Sequence, residues 1–344
     1  MSRPLGLLVQ PGLDPGSSVA TDLAVLATVL APGGDAAGVL RVFDCPGALV
    51  SLGRYHTVPP ARGASVRLCR RLTGGRAVPA GAGFVGVALA LPHRAALIAS
   101  TPLALRPEQV MNRYVRGILE GCKLGGVAAF YPGRDVVTVD RRVLGLVSFE
   151  VDEGGALLVE AILARSRDFA CLAQRLDAVD PDGIVSAAML DPDDTTSLAH
   201  ELGREPALEE VADWLVRGYE QTLAVTCERV EVQPDDAFDE QQWLVARTVR
   251  VDLDHRARTP TQLGVLEAHL ALAAGRIREA RLAGDFIADS PAVVRLEAAL
   301  KGCPATAAAV AAVVDEVFAN PRHFILGVGP VRTVADTIAR ALPT

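Results

Sequence analysis

Lysine is nearly absent from this 344-residue chain: Lys123 and Lys301 are the only two among 34 basic residues. Alanine and glycine are abundant, so the arginine excess fits GC-rich coding and marks no single arginine as chosen for its fork. Aromatic residues are also scarce, at 4%, but half of the chain is hydrophobic, enough to bury a core and to exclude global disorder. No two of the six cysteines are closer than Cys45 and Cys69, which excludes CxxC and zinc-knuckle spacing. The six histidines form no HxH or HxxxH pair, so no metal site is expected. A net charge of −7 argues against a chain built to hold nucleic acid or anionic lipid. No apolar run approaches the roughly 18 residues of a membrane helix. The closest, residues 81–91, ends at Pro92, His93 and Arg94. The N-terminus has a short apolar stretch broken by Pro11 and does not read as a signal peptide, so a cytoplasmic protein is expected.

The length suggests two domains. Residues 17–30 suit a helix, and short apolar runs at 39–44, 48–53, 65–72 and 83–92 read as strands separated by turns, including the Gly-rich stretch 73–83. Val110, Tyr114 and Ile118 recur at helical spacing between Pro107 and Cys122. Strands are expected at 136–139, 143–151 and 156–163, then a helix over 206–225 and a strand around Val230 and Val232. Residues 233–242 carry four acids and a proline, and the domain boundary is placed there, giving domains 1–240 and 241–344. Beyond it, Val249, Val251 and Leu253 alternate with polar residues as a strand does. Leu266 to Leu272 alternate again before a turn at Ala274-Gly275, and helices are expected at 291–301, 305–318 and 331–342. This is a mixed α/β domain followed by a small α+β domain.

The segment richest in chemistry is Arg70 to Gly81. A strand ends in Arg70 and Arg71 and opens onto Thr73-Gly74-Gly75, where missing side chains let backbone N–H groups approach an anion. Either arginine could supply a bidentate fork for a phosphate or carboxylate. The alternative is a plain Gly-rich hairpin with solvated arginines. Neither GxxxxGK[ST] nor a helix-opening GxGxxG is present.

Several short motifs follow one order: Leu40-Arg41, Leu52-Gly53-Arg54-Tyr55-His56, Arg70-Arg71-Leu72-Thr73-Gly74-Gly75, Gly133-Arg134-Asp135, Arg142-Val143-Leu144-Gly145, Thr196-Ser197-Leu198, Gly284-Asp285-Phe286 and Leu296 to Gly302. In that order the chain resembles the lipoate–protein ligase A family. The resemblance implies a biotin/lipoate-ligase-type mixed-sheet α/β domain with a small α+β C-terminal accessory domain. It implies an enzyme that uses ATP with Mg²⁺ to turn lipoate or octanoate into an acyl-adenylate. The acyl group would then pass to a lysine of a lipoyl-domain or H-protein-like acceptor, with no nucleic acid or membrane involved. Carried over by position, Arg70, Arg71, Thr73, Gly74, Gly75, Arg76 and Asp135 would bind the acyl-adenylate phosphate. Gly53, Tyr55, His56, Val78 and Gly145 would wall the acyl pocket, together with the strand from Phe84 to Leu91. Arg142 would stand at the catalytic lysine.

The chain departs from that pattern where its chemistry is concentrated. Arg142 replaces a compact ammonium with a wide planar fork, which is not a conservative change. Arg76 stands at the third glycine, Ala80-Gly81 at a His-Asp pair, and Leu146 and Val147 at small residues. Three readings follow: an active ligase, a relative that binds a lipoyl domain or acyl ligand without adenylation, or an ATP-independent acyl transferase. The last needs a nucleophile, and neither Cys122 nor Cys171 can be matched to one. Cys69, beside two arginines, reads as a buried structural cysteine. His56 reads as a turn histidine, the acids at 191–194 as a solvated loop rather than a Mg²⁺ site, and Trp214 and Tyr219 as packing residues.

Overall fold

The computed structural model describes residues 4–31, 37–58, 66–172, 191–247 and 252–343. A seven-stranded mixed sheet forms its centre, built from β1 (Leu5–Gln10), β2 (Gly38–Phe43), β6 (Phe84–Leu91), β7 (Val136–Val139), β8 (Arg142–Val151), β9 (Leu157–Ala164) and β10 (Cys227–Arg229) in the order β10-β1-β2-β6-β9-β8-β7. Strands β10, β1 and β2 run parallel, and the remaining pairs are antiparallel. A second sheet, β4-β3-β5, is made by β3 (Ala48–Leu52), β4 (Arg67–Arg70) and β5 (Val78–Gly81).

Strand β6 shows why the run at 83–92 is so apolar. Val85, Val87, Leu89 and Leu91 face a core with helices α2 (Pro107–Leu124) and, after the short α3 (Leu198–Leu202), α4 (Leu208–Leu223). Ala88 and Ala90 face a second core with α1 (Pro15–Leu30). A strand buried on both faces reads as continuous hydrophobicity. Trp214 and Tyr219 are buried in the α2–α4 packing, as their spacing predicts. Glycine permits that packing: a Cβ on Gly218 would lie 2.3 Å from the Gly117 carbonyl oxygen.

The C-terminal part holds the antiparallel sheet β11 (His255–Pro260), β12 (Val265–Ala273) and β13 (Arg276–Gly284), then β14 (Ile287–Ala288), paired with β15 (Ile325–Leu326). Helices α6 (Ser290–Leu300), α7 (Ala307–Phe318) and α8 (Arg332–Arg340) bury their apolar stripes against it. No described helix is long and apolar enough to cross a membrane.

Three segments differ from the expected reading. The strand near Val230 and Val232 is three residues, Cys227–Arg229, because only these match β1 in register. The expected strand at Val249 and Val251 lies outside the described residues; among the described residues the first C-terminal strand begins at His255, after Leu253. Inside the Gly-rich stretch, Val78–Gly81 is a strand on the outer edge of the small sheet, where Pro79 is tolerated. The acid-rich stretch carries helix α5 (Glu240–Val245), whose Trp243 indole donates to the Arg70 carbonyl at 2.8 Å and so packs on β4.

Candidate functional site

The large and small sheets face each other, and two small cavities lie between them. The larger, about 50 Å³, is lined by Val19 and Asp22 of α1, Phe43, Cys45, Leu49, Cys69, Ala80 and Phe84. The smaller, about 20 Å³, is lined by Gly75, Arg76, Val78, Asp135, Leu146 and Ser148. Arg71, Glu160, Ala161 and Ile162 line both, forming a shared wall. A water needs roughly 10–15 Å³ of such volume, so each cavity holds at most a few waters with the side chains as they stand.

The two arginines of the Arg70-Arg71 pair have different partners from those a phosphate site requires. Arg70 is buried; its Nη1 donates to the carbonyls of Gly53 (2.9 Å), Arg54 (3.0 Å) and His56 (2.6 Å), and its Nε and Nη2 donate to that of Leu244. It staples the 53–56 turn to α5. Burial, reinforced by Arg247, Arg71 and Arg54, pulls its pKa down to about 9. Arg71 donates to Ser51 O, Gly74 O, Arg76 O and Thr73 Oγ1, which fixes the 71–76 turn.

The glycines meet protein rather than open space. Gly75, at φ +86°, donates its N–H to Phe286 O at 2.8 Å, and a Cβ on Gly74 would stand 2.3 Å from the same oxygen. A Cβ on Gly53 would stand 2.0 Å from the Gly75 carbonyl oxygen. Thr73 donates its backbone N–H to Glu160 Oε2 at 3.1 Å, and its hydroxyl lies 2.6 Å from that of Ser148.

Arg76 and Asp135 form a buried two-point pair, with Nε at 2.6 Å and Nη2 at 3.2 Å from the carboxylate oxygens. Arg142 lies elsewhere. Its Nη2 donates to Glu201 at 2.9 Å, Glu201 also accepts from the Thr196 hydroxyl, and Arg142 is not among the residues lining either cavity.

Tyr55 and His56 sit at the joint with the C-terminal part. Tyr55 is fully buried, stacks on Phe286, and donates its hydroxyl to Glu150. His56 donates from Nδ1 to Thr57 O at 2.6 Å, and its Nε2 lies 3.6 Å from Asp285. Gly145 packs against Leu163 of β9. Of the residues named from sequence, the structure therefore brings Arg71, Gly75, Arg76, Val78 and Asp135 to the smaller cavity. Arg70, Thr73, Gly74, Gly53, Tyr55, His56, Gly145 and Arg142 lie outside its lining.

Glu160 was missed. It is buried in the shared wall, and burial, with the charge of Asp22 adding and Arg71 opposing, pushes its pKa up to about 7. The available signal was a lone acid inside the apolar strand LLVEAILA. Burial also pushes the thiols of Cys45, Cys69 and Cys122 up to about 12, so they are neutral and poor nucleophiles. The 191–194 acids form an exposed 3-10 turn in which Asp191 caps the Asp193 N–H.

The family model described as the bacterial lipoate protein ligase C-terminus matches residues 250–324. No curated protein sequence matches the chain. Among solved structures, P. falciparum LipL1 in complex with lipoate covers 97% of this chain and 99% of its own, at 14% identity and a TM-score of 0.71. A bi-partite archaeal lipoate protein ligase with its E2 lipoyl domain, from Thermoplasma acidophilum, covers 72% of this chain and 98% of its own, at 15% identity and a TM-score of 0.56. A lipoate-protein ligase A bound with ATP covers 72% of this chain and 93% of its own, at 15% identity and a TM-score of 0.50. The fold is thus that of the lipoate–protein ligases, and residues 250–324 are similar to the C-terminus of the bacterial enzymes, as the motif order predicts.

Proposed function

We propose that this chain, which has the lipoate–protein ligase fold and a C-terminal part similar to that of the bacterial enzymes, is a ligase-like protein for a medium-chain acid. In this reading lipoate or octanoate enters between the two sheets and is joined to ATP as an acyl-adenylate. It is then passed to a lysine of a lipoyl-domain or H-protein-like acceptor. The observation that carries it is the pair of cavities: apolar at Leu49, Ala80 and Phe84, and cationic where the smaller one meets the Gly-rich turn at Arg76. Similar folds carry lipoate, ATP and a lipoyl domain in the structures named above.

The chemistry has two steps. A carboxylate oxygen attacks the α-phosphorus of ATP and pyrophosphate leaves; the acceptor amine then attacks the acyl carbon, loses a proton, and AMP leaves. The first step brings two anions together and the second develops negative charge on the acyl oxygen and the departing AMP, so fixed N–H groups and cations must offset that charge. Arg76 is the cation in the smaller cavity that is already paired with an anion. Magnesium would accompany the triphosphate. Both oxygens of Asp135 are taken by Arg76, and no three His, Cys, Asp or Glu side chains come together as a metal cage among the described residues, so no step is routed through a resident metal.

A second reading, in which the chain binds an acyl ligand or lipoyl domain without adenylation, is favoured by two contacts. Arg142 is held by Glu201, and the Gly75 N–H is held by Phe286 O. Mass spectrometry of an apo-lipoyl domain incubated with the protein, ATP, Mg²⁺ and lipoate or octanoate separates the two. An acyl mass increment made by the native chain supports the ligase. Modification only by an Arg142→Lys variant supports the binder, and modification by neither removes the ligase reading.

A further inference from the structure

We infer that Arg76 is the group that receives the carboxylate of the acid, on the side of its fork that Asp135 leaves open. The inference rests on the reading that a carboxylic acid enters between the sheets.

Three arginines of the Gly-rich turn, and Arg142 at the position the resemblance gives to the catalytic lysine, differ in the kind of partner they hold. Arg70 and Arg71 spend their donors on backbone carbonyls, and Arg71 also on the Thr73 hydroxyl. Withdrawing either guanidinium strands buried carbonyl oxygens without partners, a cost that a ligand at the same site cannot offset. Arg142 is tied to Glu201, away from both cavity linings. Arg76 alone lines a cavity and is held there by an anion.

A guanidinium has five N–H donors, which suit two carboxylates on adjacent edges. Asp135 takes Nε and Nη2 of Arg76, and Nη1 makes no hydrogen bond among the described residues. The planar fork therefore keeps an unused edge while Asp135 fixes its direction. Val78 and Leu146 line the same cavity, so a carboxylate on that edge would have its chain beside apolar walls leading to Ile162. The chemistry selected is an unbranched apolar acid with one terminal carboxylate. A neutral ester or amide of the same chain would gain nothing from Arg76.

Calorimetric titration of the full chain with octanoate, and separately with methyl octanoate, tests this. Arg76→Gln should weaken octanoate at least tenfold, Arg76→Lys should weaken it less, and the ester should bind native and Arg76→Gln protein alike. Unchanged octanoate affinity in Arg76→Gln overturns the inference. So does an equal loss for acid and ester, which would mean a collapsed cavity, or a larger loss in Arg142→Gln. A native protein that binds no octanoate overturns it as well. The acceptor mass assay keeps the two claims apart. Native protein that binds octanoate through Arg76 but never modifies the acceptor defeats the ligase reading alone. Equal modification by native and Arg76→Gln proteins defeats this inference alone.

Discussion

The ring of Tyr55 lies on that of Phe286, with centroids 4.6 Å apart and planes 13° from parallel. Around this stack, Gly284 donates its N–H to Tyr55 O at 3.0 Å and Gly75 donates to Phe286 O at 2.8 Å. The 53–56 turn is therefore joined to the C-terminal part by aromatic packing and one backbone hydrogen bond, and the Gly-rich turn by another. Truncation of a buried phenylalanine costs about 3–5 kcal/mol, so Phe286→Ala should lower the urea midpoint strongly. Tyr55→Phe keeps the stack and loses only the hydroxyl bond to Glu150, so it should cost about 1 kcal/mol.

Glu150 gives that joint a pH dependence. Burial pushes its pKa up to about 8, with Arg54 and hydrogen bonds from Ser290 opposing. Between the ordinary glutamate value and about 8, the folded chain holds a proton that the unfolded chain has released. This contribution to stability is therefore complete at low pH, falls as pH rises through that window, and levels off above it. The slope is at most about 1.4 kcal/mol per pH unit for one group. Glu160, raised to about 7, adds a slope of the same sign. Denaturation of native and Glu150→Gln protein across the window isolates Glu150: the variant should gain on the native chain as pH rises. Parallel curves would mean that Glu150 ionises normally.

Two glycine substitutions should differ sharply. On Gly74 a Cβ would meet backbone, 2.3 Å from Phe286 O and 3.1 Å from Ile287 Cα, so Gly74→Ala must push the C-terminal segment away. Gly133, at φ +89°, has open space around its Cβ direction, so Gly133→Ala carries only the left-handed backbone cost of roughly 1–2 kcal/mol. Hydrogen exchange should show the Gly75 amide losing protection in Gly74→Ala and keeping it in Gly133→Ala.

The legible parts of the molecule are those set by local periodicity. Strand β7 at Val136–Val139 and helix α2 from Pro107 were readable because their apolar spacing repeats along a few turns or pleats. Strand β5 was hidden because Pro79 and Gly81 look like turn residues, and only its edge position beside β3 makes them acceptable. Helix α5 was hidden because its polar segment is held by tertiary contacts, Trp243 on the Arg70 carbonyl and the Leu244 carbonyl under the Arg70 guanidinium. At the site, the residue types near the turn were visible, but their partners were not. Arg76 finds Asp135, and Arg142 finds Glu201, across distant parts of the chain. Nothing local tells a guanidinium that meets a carboxylate from one that meets carbonyls.

The buried pair beneath the larger cavity permits a last test. Arg41 is fully buried and pairs with Asp22, while also donating to Gln10 Oε1 at 3.0 Å and Ser18 O at 3.2 Å. Removing one partner leaves an unpaired buried charge, so Asp22→Ala should cost about 3–5 kcal/mol, whereas Asp22→Leu with Arg41→Met should recover most of it. The same acid acts on its neighbour, since the charge of Asp22 helps to raise Glu160. Asp22→Asn removes that charge with little change of shape. Carboxyl NMR should then show Glu160 titrating at lower pH than in the native chain. An unchanged Glu160 titration would mean that burial alone sets it, and that the floor of the cavity is electrostatically independent of its wall.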